Sequence, residues 1–290
     1  MIPAATAHFP FPRALRMPAP KAVWCLLLGA ACLLHGVLAA AQAHVVRMPL
    51  RGEVVLPLFW HEAANAKGTV LLIPGGTGGF RGVRDGSPVL NNVIPHSNHY
   101  FVANGYNVVI LGVPSDGLMD GGRRVIPPNE RLSGRHASDI RAAVEYIKTQ
   151  LPGPIWLAGY SMGTVSASLA ALSIKDPAVV GVVLISMLSN PGHVMGVYND
   201  VSLQRLNLSE LRLPVLVYHH EKDGCDKCRP AEVRKVFDRL VNAPIRKLVM
   251  TNGGAGATGD PCRNQHWHGF PGMEKEAIDE ITAWMDKPVS

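Results

Sequence analysis

The stretch Pro154–Leu172, PIWLAGYSMGTVSASLAAL, changes character in its middle. Residues 154–159 are mostly apolar, which is typical of a buried strand, whereas the small and apolar residues after Gly163 suit a helix. The GYSMG sequence between them places Ser161 at the turn where the strand becomes a helix. A serine at such a turn is either an activated nucleophile or a turn residue that faces solvent.

Strand-like and helix-like runs alternate along the rest of the chain. The strand-like runs are 52–60, 68–74, 106–113, 154–159, 179–186, 214–220 and 245–251. The helix-like runs are 88–104, 133–150, 162–175, 230–241 and 272–286. Ser133 is expected to cap the second of these helices. The alternation predicts one α/β domain over residues 44–290, with a mostly parallel sheet of about seven or eight strands and helices on both faces.

An acidic residue is expected to follow one of the late strands. Ligands of open α/β sheets bind at the carboxyl ends of the strands, so the residues that follow each strand matter most. Asp223 follows the run 214–220, where a carboxylate would orient the base that takes the Ser161 proton. Asp223 is alternatively a turn residue before a glycine, and Glu221 and Asp226 are the substitutes for this role.

A histidine base is expected in the loop after the last strand, where His266 and His268 lie two residues apart. We favour His268 because Gly269-Phe270 and the last helix follow it. His266 is the second choice, and either residue is alternatively a surface histidine of a loop. The order serine, aspartate, histidine along the chain is the order that a nucleophile elbow on an α/β sheet requires.

Backbone donors for a developing oxyanion are predicted at two places. One is the N–H of Met162, the residue after the serine. The other lies in the glycine-rich loop 74–79, PGGTGG, where Gly76 is the first choice and Thr77 the second. A phosphate-binding loop is the alternative, but the Gly-Lys-Ser/Thr that such a loop needs is replaced by Gly-Phe-Arg.

Three of the five cysteines lie outside the first 43 residues, at Cys225, Cys228 and Cys262. In an oxidising compartment at least one pair of them is expected to form a disulfide. We predict Cys225–Cys262, which would join the loop of the predicted acid to the loop of the predicted base. With His266, the three thiols alternatively supply the ligand set of a zinc site.

The N-terminal segment resembles a signal peptide. Residues 1–43 contain Arg13, Arg16 and Lys21, no acidic residue, and a long apolar run that ends in Ala-Gln-Ala. This pattern predicts cleavage after Ala43 and export to the periplasm or outside the cell. An uncleaved membrane anchor is the alternative, because the run is nearly long enough to span a bilayer.

The charge of the remaining chain argues against nucleic-acid binding. The whole chain carries a formal charge of +6, and three basic residues fall in 1–43, which leaves +3 for residues 44–290. That charge is small, and the basic residues form neither a stripe nor a pattern with interleaved aromatic residues. We expect no nucleic-acid partner, and no membrane contact once the signal peptide is removed.

These residues together resemble the α/β-hydrolase superfamily, and in particular exported bacterial serine hydrolases with little or no cap domain. The resemblance covers about Val54 to Trp284. It rests on GYSMG at 159–163, the loop 74–76, Asp223, and His268 ahead of the last helix. The family usually has histidine-glycine at the start of the oxyanion loop, where this chain has proline in place of the histidine.

The resemblance implies hydrolysis of an ester, thioester, lactone or amide through an acyl-enzyme on Ser161, without a cofactor or a metal. The expected partner is a small-molecule acyl substrate, and segment 187–210 is expected to form a small helical flap over the site. We regard an esterase as the leading hypothesis. A small peptidase, amidase or acyltransferase on the same triad is the alternative, and a non-catalytic ligand-binding protein with this fold is the alternative of another class.

Overall fold

The computed structural model describes Met1 and residues 43–85, 87–89, 97–194 and 197–290. The predicted signal peptide, apart from its two terminal residues, lies outside these ranges, so its cleavage stays a prediction. Within the described ranges, no helix is both long and apolar enough to cross a membrane.

A central sheet of eight strands forms the body of the domain. The strands are β1 (His44–Arg51), β2 (Val54–His61), β3 (Gly68–Ile73), β4 (Tyr106–Leu111), β5 (Ile155–Tyr160), β6 (Val179–Ile185), β7 (Val215–His220) and β8 (Arg246–Thr251). Their order across the sheet is β1-β2-β4-β3-β5-β6-β7-β8. Only β2 runs against its neighbours in this sheet, so the predicted mostly parallel sheet is confirmed.

The first strand was missed from the sequence, where the run 52–60 was interpreted as one strand without a partner before it. The structure instead has a hairpin, in which β1 and β2 pair antiparallel on either side of a two-residue turn with Gly52 at φ +49°. Strand β1 lies at the edge of the sheet, Met48 is its one buried residue, and Pro49 lies within it. A sheet edge tolerates both a proline and exposed side chains. Because of them, β1 lacks the continuous apolar run by which the other strands were predicted.

Five α-helices accompany the sheet in the described residues. They are α1 (Asn98–Ala103), α2 (Gly134–Gln150), α3 (Gly163–Ser173), α4 (Pro230–Asp238) and α5 (Glu274–Asp286). The predicted cap is confirmed, because the Ser133 hydroxyl accepts the His136 N–H at 3.0 Å. The predicted helix 88–104 is shorter in its described part: Pro88 lies in a two-residue strand, and α1 begins only at Asn98.

The helices cover both faces of the sheet, as predicted. Strand β5 shows this, because its side chains alternate between two separate cores. Ile155 and Leu157 belong to the core that α2, α3 and α4 cover, whereas Trp156 and Ala158 belong to the core of α1 and α5. Each buried side chain of leucine size stabilises the fold by roughly 1.5–3 kcal/mol relative to exposure. Strand β5, buried on both faces, therefore fixes the position of the turn that follows it.

The segment 187–210 is not the helical flap that the sequence predicted. It contains a short antiparallel hairpin of 192–194 with 197–199, followed by two 3₁₀ turns at 203–205 and 208–210. Leu203 and Leu208 are fully buried in the core beside α3. These two leucines therefore anchor the C-terminal part of this segment to the body of the domain.

Candidate active site

Ser161 lies on a sharp turn between β5 and α3. Its φ of +54° is in the left-handed region that a residue with a side chain rarely adopts. The Ser161 N–H donates to Ile185 O at 2.9 Å, and its carbonyl accepts the Thr164 hydroxyl at 2.6 Å. The neighbouring strand and the first turn of the helix thus hold the serine in a conformation that is unfavourable by itself.

Two glycines permit this turn because neither has room for a side chain. A Cβ on Gly163 would lie 2.0 Å from Ile73 O, and a Cβ on Gly159 would lie 2.5 Å from Gly163 O. Helix α3 can therefore start directly against β3 and β5. The GYSMG pattern is accounted for by this close packing, with the serine at its apex.

His268 links the other two predicted residues. Its Nε2 lies 3.0 Å from Ser161 Oγ, and its Nδ1 lies 2.9 Å from Asp223 Oδ2. His268 and Asp223 are both buried, with 1% and 4% of their surface exposed. Because the carboxylate accepts a hydrogen bond from Nδ1–H, the neutral ring leaves the lone pair of Nε2 toward the serine hydroxyl. The structure brings Ser161, His268 and Asp223 into one hydrogen-bonded chain.

Asp223 has a second contact that fixes its orientation. Its Oδ1 accepts the Cys225 N–H at 2.9 Å, while His219 Nε2 lies 3.5 Å from Oδ2. Burial lowers the pKa of His219 to about 4, so this imidazole is neutral near pH 7, and its Nε2–H donates to Cys228 O at 2.8 Å. The carboxylate charge is therefore directed mainly toward His268.

The residues predicted as substitutes for the acid and the base do not join the hydrogen-bonded chain of Ser161, His268 and Asp223. Glu221 and Asp226 are both exposed, and neither bonds to His268. The ring of His266 packs edge-on to Trp267 at a centroid distance of 6.5 Å, and its buried Nδ1 has no hydrogen-bond partner in the described part of the chain. Of the two histidines, the structure places His268 beside the serine.

Two further residues hold the backbone of His268, and the sequence did not reveal either role. The Tyr160 hydroxyl and the Ser186 hydroxyl both donate to His268 O, at 3.1 and 2.7 Å. Burial raises the pKa of Tyr160 well above its usual range, so it remains a donor. Ser186 follows β6 at the same sheet edge as Ser161 follows β5, and that position was the only signal that pointed to it.

The predicted oxyanion donors lie beside the serine. A Cβ on Gly75 would lie 2.8 Å from Ser161 Cβ and 3.4 Å from Met162 N, so the glycine loop passes directly against the nucleophile turn. Gly76, with φ +53°, and Thr77 are the central residues of a turn closed by Gly78 N–H to Gly75 O at 3.0 Å. The N–H groups of Met162, Gly76 and Thr77 donate to no backbone oxygen of the described residues.

Arg131 supports this loop from beneath and was not predicted. Its side chain is completely buried, and its Nη2 donates to Pro74 O at 3.1 Å and to Gly76 O at 3.0 Å. Its Nη1 donates to Ser166 Oγ of α3 at 2.9 Å. The neighbouring carboxylate of Glu130 pairs with Arg135 instead.

The guanidinium of Arg131 stays charged even without a carboxylate. Burial lowers its pKa to about 10, which is still well above neutral pH. His136 shares a partner with Arg131, since its Nε2 lies 2.9 Å from the same Ser166 hydroxyl. Burial, with the charge of Arg131, lowers the pKa of His136 to about 3, so this ring is neutral. A single positive charge therefore lies beneath the glycine loop.

The predicted Cys225–Cys262 disulfide is confirmed. It joins the segment that contains Asp223 to the segment that contains His268, and the two cysteines are 37 residues apart in the sequence. Cys228 is a buried free thiol, and burial raises its pKa well above the usual value. The zinc alternative loses its ligands, since neither sulfur of the disulfide is a thiolate.

A cleft of about 830 Å³ opens at Ser161. Its floor includes Ser161, Met162 and His268, and one wall is the glycine loop with Gly76 and Thr77. A cleft of this size suits a small-molecule substrate, because such ligands usually bind in pockets of about 300–1,000 Å³.

Comparison with solved structures confirms the fold. An esterase from Pyrococcus furiosus matches with a TM-score of 0.60 and 15% identity over 97% of this chain and 99% of that one. A cold-adapted esterase from an Arctic intertidal metagenomic library matches with a TM-score of 0.57 and 18% identity over 88% and 97%. An α/β serine hydrolase without a lid from Xanthomonas campestris matches with a TM-score of 0.50 and 15% identity over 84% and 96%.

No family model and no curated protein matches the sequence. At identities of 15–18% the structural likeness establishes the fold alone. The chain has the α/β-hydrolase fold, and its chemistry must be argued from its own residues.

Proposed function

We propose that this chain, with its α/β-hydrolase fold, is a serine esterase that cleaves carboxylic esters through an acyl-enzyme on Ser161. One observation carries the proposal: the continuous hydrogen-bonded chain Ser161–His268–Asp223 at 3.0 and 2.9 Å, on the floor of an open cleft. A nucleophile, a base and an acid that orients the base are the three parts that serine hydrolysis needs.

In the first half of the reaction, Ser161 Oγ attacks the ester carbonyl carbon while its proton passes to His268 Nε2. The imidazolium that forms is stabilised by the Asp223 carboxylate at Nδ1. The carbonyl π electrons move onto oxygen, which becomes an oxyanion. When the tetrahedral intermediate collapses, His268 gives the proton to the leaving alcohol and the acyl group stays on Ser161.

The N–H groups of Met162 and Gly76 are proposed to stabilise the oxyanion, with Thr77 as the substitute for Gly76. Met162 precedes the first residue of α3, so its N–H also lies at the positive end of the helix dipole. Preorganised donors of this kind act where charge develops and contribute about 3–4 kcal/mol each to transition-state stabilisation.

In the second half, water attacks the acyl carbon while His268 Nε2 takes one of its protons. A second oxyanion forms in the same position and collapses to release the carboxylic acid, and the proton returns from His268 to Ser161 Oγ. No cofactor takes part in either half.

Two observations favour an esterase over the other candidates. The structural neighbours named above include two esterases. A non-catalytic binding protein would not require both hydrogen bonds of the triad, and both are in place here.

We also propose that the protein is exported, to the periplasm or outside the cell. The basic and apolar segment with its Ala-Gln-Ala end supports this, as does the Cys225–Cys262 disulfide. N-terminal sequencing of protein recovered from the producing cells tests it. A chain that begins at His44 is expected, and a chain that still contains Trp24 would contradict the cleavage.

Labelling with a fluorophosphonate probe tests the esterase directly, since the probe reacts only with an activated serine. The native protein is expected to be labelled and to hydrolyse p-nitrophenyl esters, and Ser161→Ala is expected to do neither. An unlabelled native protein would end the hydrolase proposal. Equal labelling of Ser161→Ala would move the nucleophile to another residue.

A further inference from the structure

The walls of the cleft are strongly basic. The lining residues with a formal charge are Arg81, Arg123, Arg124, Lys227, Arg263 and Asp260. Residues 44–290 hold 25 basic and 22 acidic residues, so they carry +3 in total. The cleft alone carries +4, from five cations and one acid, and the remainder of the domain carries −1. The positive charge of this domain is therefore concentrated at the catalytic cleft.

The cations come from four segments of the chain that line the cleft at Ser161. Arg81 lies two residues after the glycine loop 74–79, and Arg123 and Arg124 lie on a short hairpin of 118–120 with 123–125. Lys227 and Arg263 flank the disulfide on the opposite wall. Since these segments are distant in sequence, the sheet topology rather than one basic run produces the cluster.

Two of these cations, Arg81 and Arg123, are available for a ligand. Two others already have partners within the protein: Arg263 lies 3.6 Å from Asp260, and Arg124 Nη1 donates to Gly117 O at 3.4 Å. The guanidinium groups of Arg81 and Arg123, in contrast, have no ion pair or hydrogen bond to any residue that the structure describes. Asp120 is the cross-strand neighbour of Arg123 but does not line the cleft.

We infer that the cleft selects esters that carry a second, anionic group, of which a carboxylate is the simplest, and that Arg81 and Arg123 recognise that group. The inference rests on the proposed function and names the substrate class for it. An arginine fork matches the two oxygens of a carboxylate, and a cleft lined by charges of one sign attracts ligands of the opposite sign. The volume of about 830 Å³ leaves room for a second functional group beside the ester.

Three matched p-nitrophenyl substrates test the inference: the mono-ester of adipic acid, its methyl ester, and an ester of equal length that ends in trimethylammonium. They present the same scissile bond with a negative, neutral or positive tip. The expected kcat/KM for the adipate is about tenfold that for the methyl ester at low ionic strength, and the cationic ester is expected to be poorest. The preference should shrink in 0.5 M salt, where the Debye length falls to about 4 Å.

Charge variants identify the residues. Arg123→Gln and Arg81→Gln are each expected to lower the ratio of adipate to methyl ester about threefold to fivefold, which is the size of a partly exposed ion pair. Arg123→Glu should reverse the ranking of the adipate and the cationic ester. Arg234→Gln is the matched control, since it removes the same charge from an exposed position on α4 outside the cleft, and the ratio should stay unchanged.

The outcomes separate this inference from the esterase proposal. Turnover of the methyl ester at the same rate as the adipate would overturn the inference and leave the esterase intact. So would a loss of preference in Arg234→Gln equal to that in Arg123→Gln. Failure to cleave any of the three esters, together with absent fluorophosphonate labelling, would overturn the proposed function and this inference with it.

Discussion

The guanidinium of Arg131 donates to the carbonyl oxygen of Gly76 at 3.0 Å from beneath the loop that faces Ser161. It donates to Pro74 O as well, so one side chain fixes two peptide units of the predicted oxyanion loop. Both bonds point these peptides' carbonyls into the protein.

Arg131→Met is expected to lower kcat about tenfold or more, with a smaller change in KM, because a misplaced oxyanion donor acts mainly on the transition state. Arg131→Lys keeps the charge but not the fork and should recover only part of the loss. Steady-state kinetics on a p-nitrophenyl ester measure both. Equal activity of the methionine variant would mean that the loop keeps its geometry without the arginine.

Asp223→Asn is expected to reduce kcat by about 10³–10⁴, since the amide leaves His268 in the wrong tautomer while its position is kept. His268→Ala should abolish turnover to a similar extent. His266→Ala is the matched control two residues away and should retain most activity, because its ring bonds neither Ser161 nor Asp223. A larger loss in His266→Ala than in His268→Ala would reassign the base.

Gly163→Ala is expected to prevent normal folding or to lower the free energy of unfolding by several kcal/mol. Its methyl group would lie 2.0 Å from Ile73 O, and neither backbone can move without shifting α3 from the sheet. Gly134→Ala, at the first residue of α2 with open space around it, should be neutral or slightly stabilising. Urea unfolding followed by tryptophan fluorescence compares the two, and equal stabilities would contradict the packing argument.

The Cys225–Cys262 bond is expected to stabilise the fold by about 4 kcal/mol, the chain-entropy value for a loop of this length. Cys262→Ser should therefore unfold at lower urea concentration, and it should also lose activity because the loops of Asp223 and His268 are no longer joined. Cys228→Ala is the control, since it removes a cysteine without breaking the disulfide. If dithiothreitol leaves the melting temperature of the native protein unchanged, the bond contributes little.

His136 and His219 are expected to make the protein sensitive to acid. Burial lowers the pKa of His136 to about 3 and that of His219 to about 4, below the ordinary 6.5. Between each lowered pKa and 6.5, the unfolded chain therefore binds more protons than the folded one. The free energy of unfolding should therefore be highest above pH 6.5 and fall as the pH drops toward 4.

The size of this effect is limited to about 1.4 kcal/mol for each unit of pKa difference. Urea unfolding of the native protein and of His136→Gln at several pH values measures it. The variant is expected to show a shallower decline below pH 6.5. An identical slope in both proteins would show that His136 does not contribute.

Most of the fold and the central site could be predicted because they depend on local patterns. Strand β5 is apolar throughout, the turn after it needs two glycines, and parallel strands bring Ser161, Asp223 and His268 to one edge of the sheet. These relationships follow from the spacing of residue types along the chain and from the topology they imply.

The missed features depend on contacts that leave no such pattern. Arg131 bonds to backbone carbonyls more than fifty residues away. Every residue has a backbone carbonyl, so no residue type in the sequence marks the partners of this arginine. Strand β1 pairs only on one side, and the burial of Leu203 and Leu208 within the segment predicted as a flap depends on packing against distant residues. In each case tertiary packing, rather than local propensity, decided the outcome.

The carbonyl of His268 is held by Tyr160 and Ser186, at the tips of two central strands, while much of the surface that faces a substrate belongs to loops. Anchoring and recognition are therefore carried by different parts of the chain. During divergence, the residues of the hairpin at 118–125 can change without displacing His268, the proposed general base. Replacement of these loops can therefore change which substrate is preferred, while the positions of Ser161 and His268 stay the same.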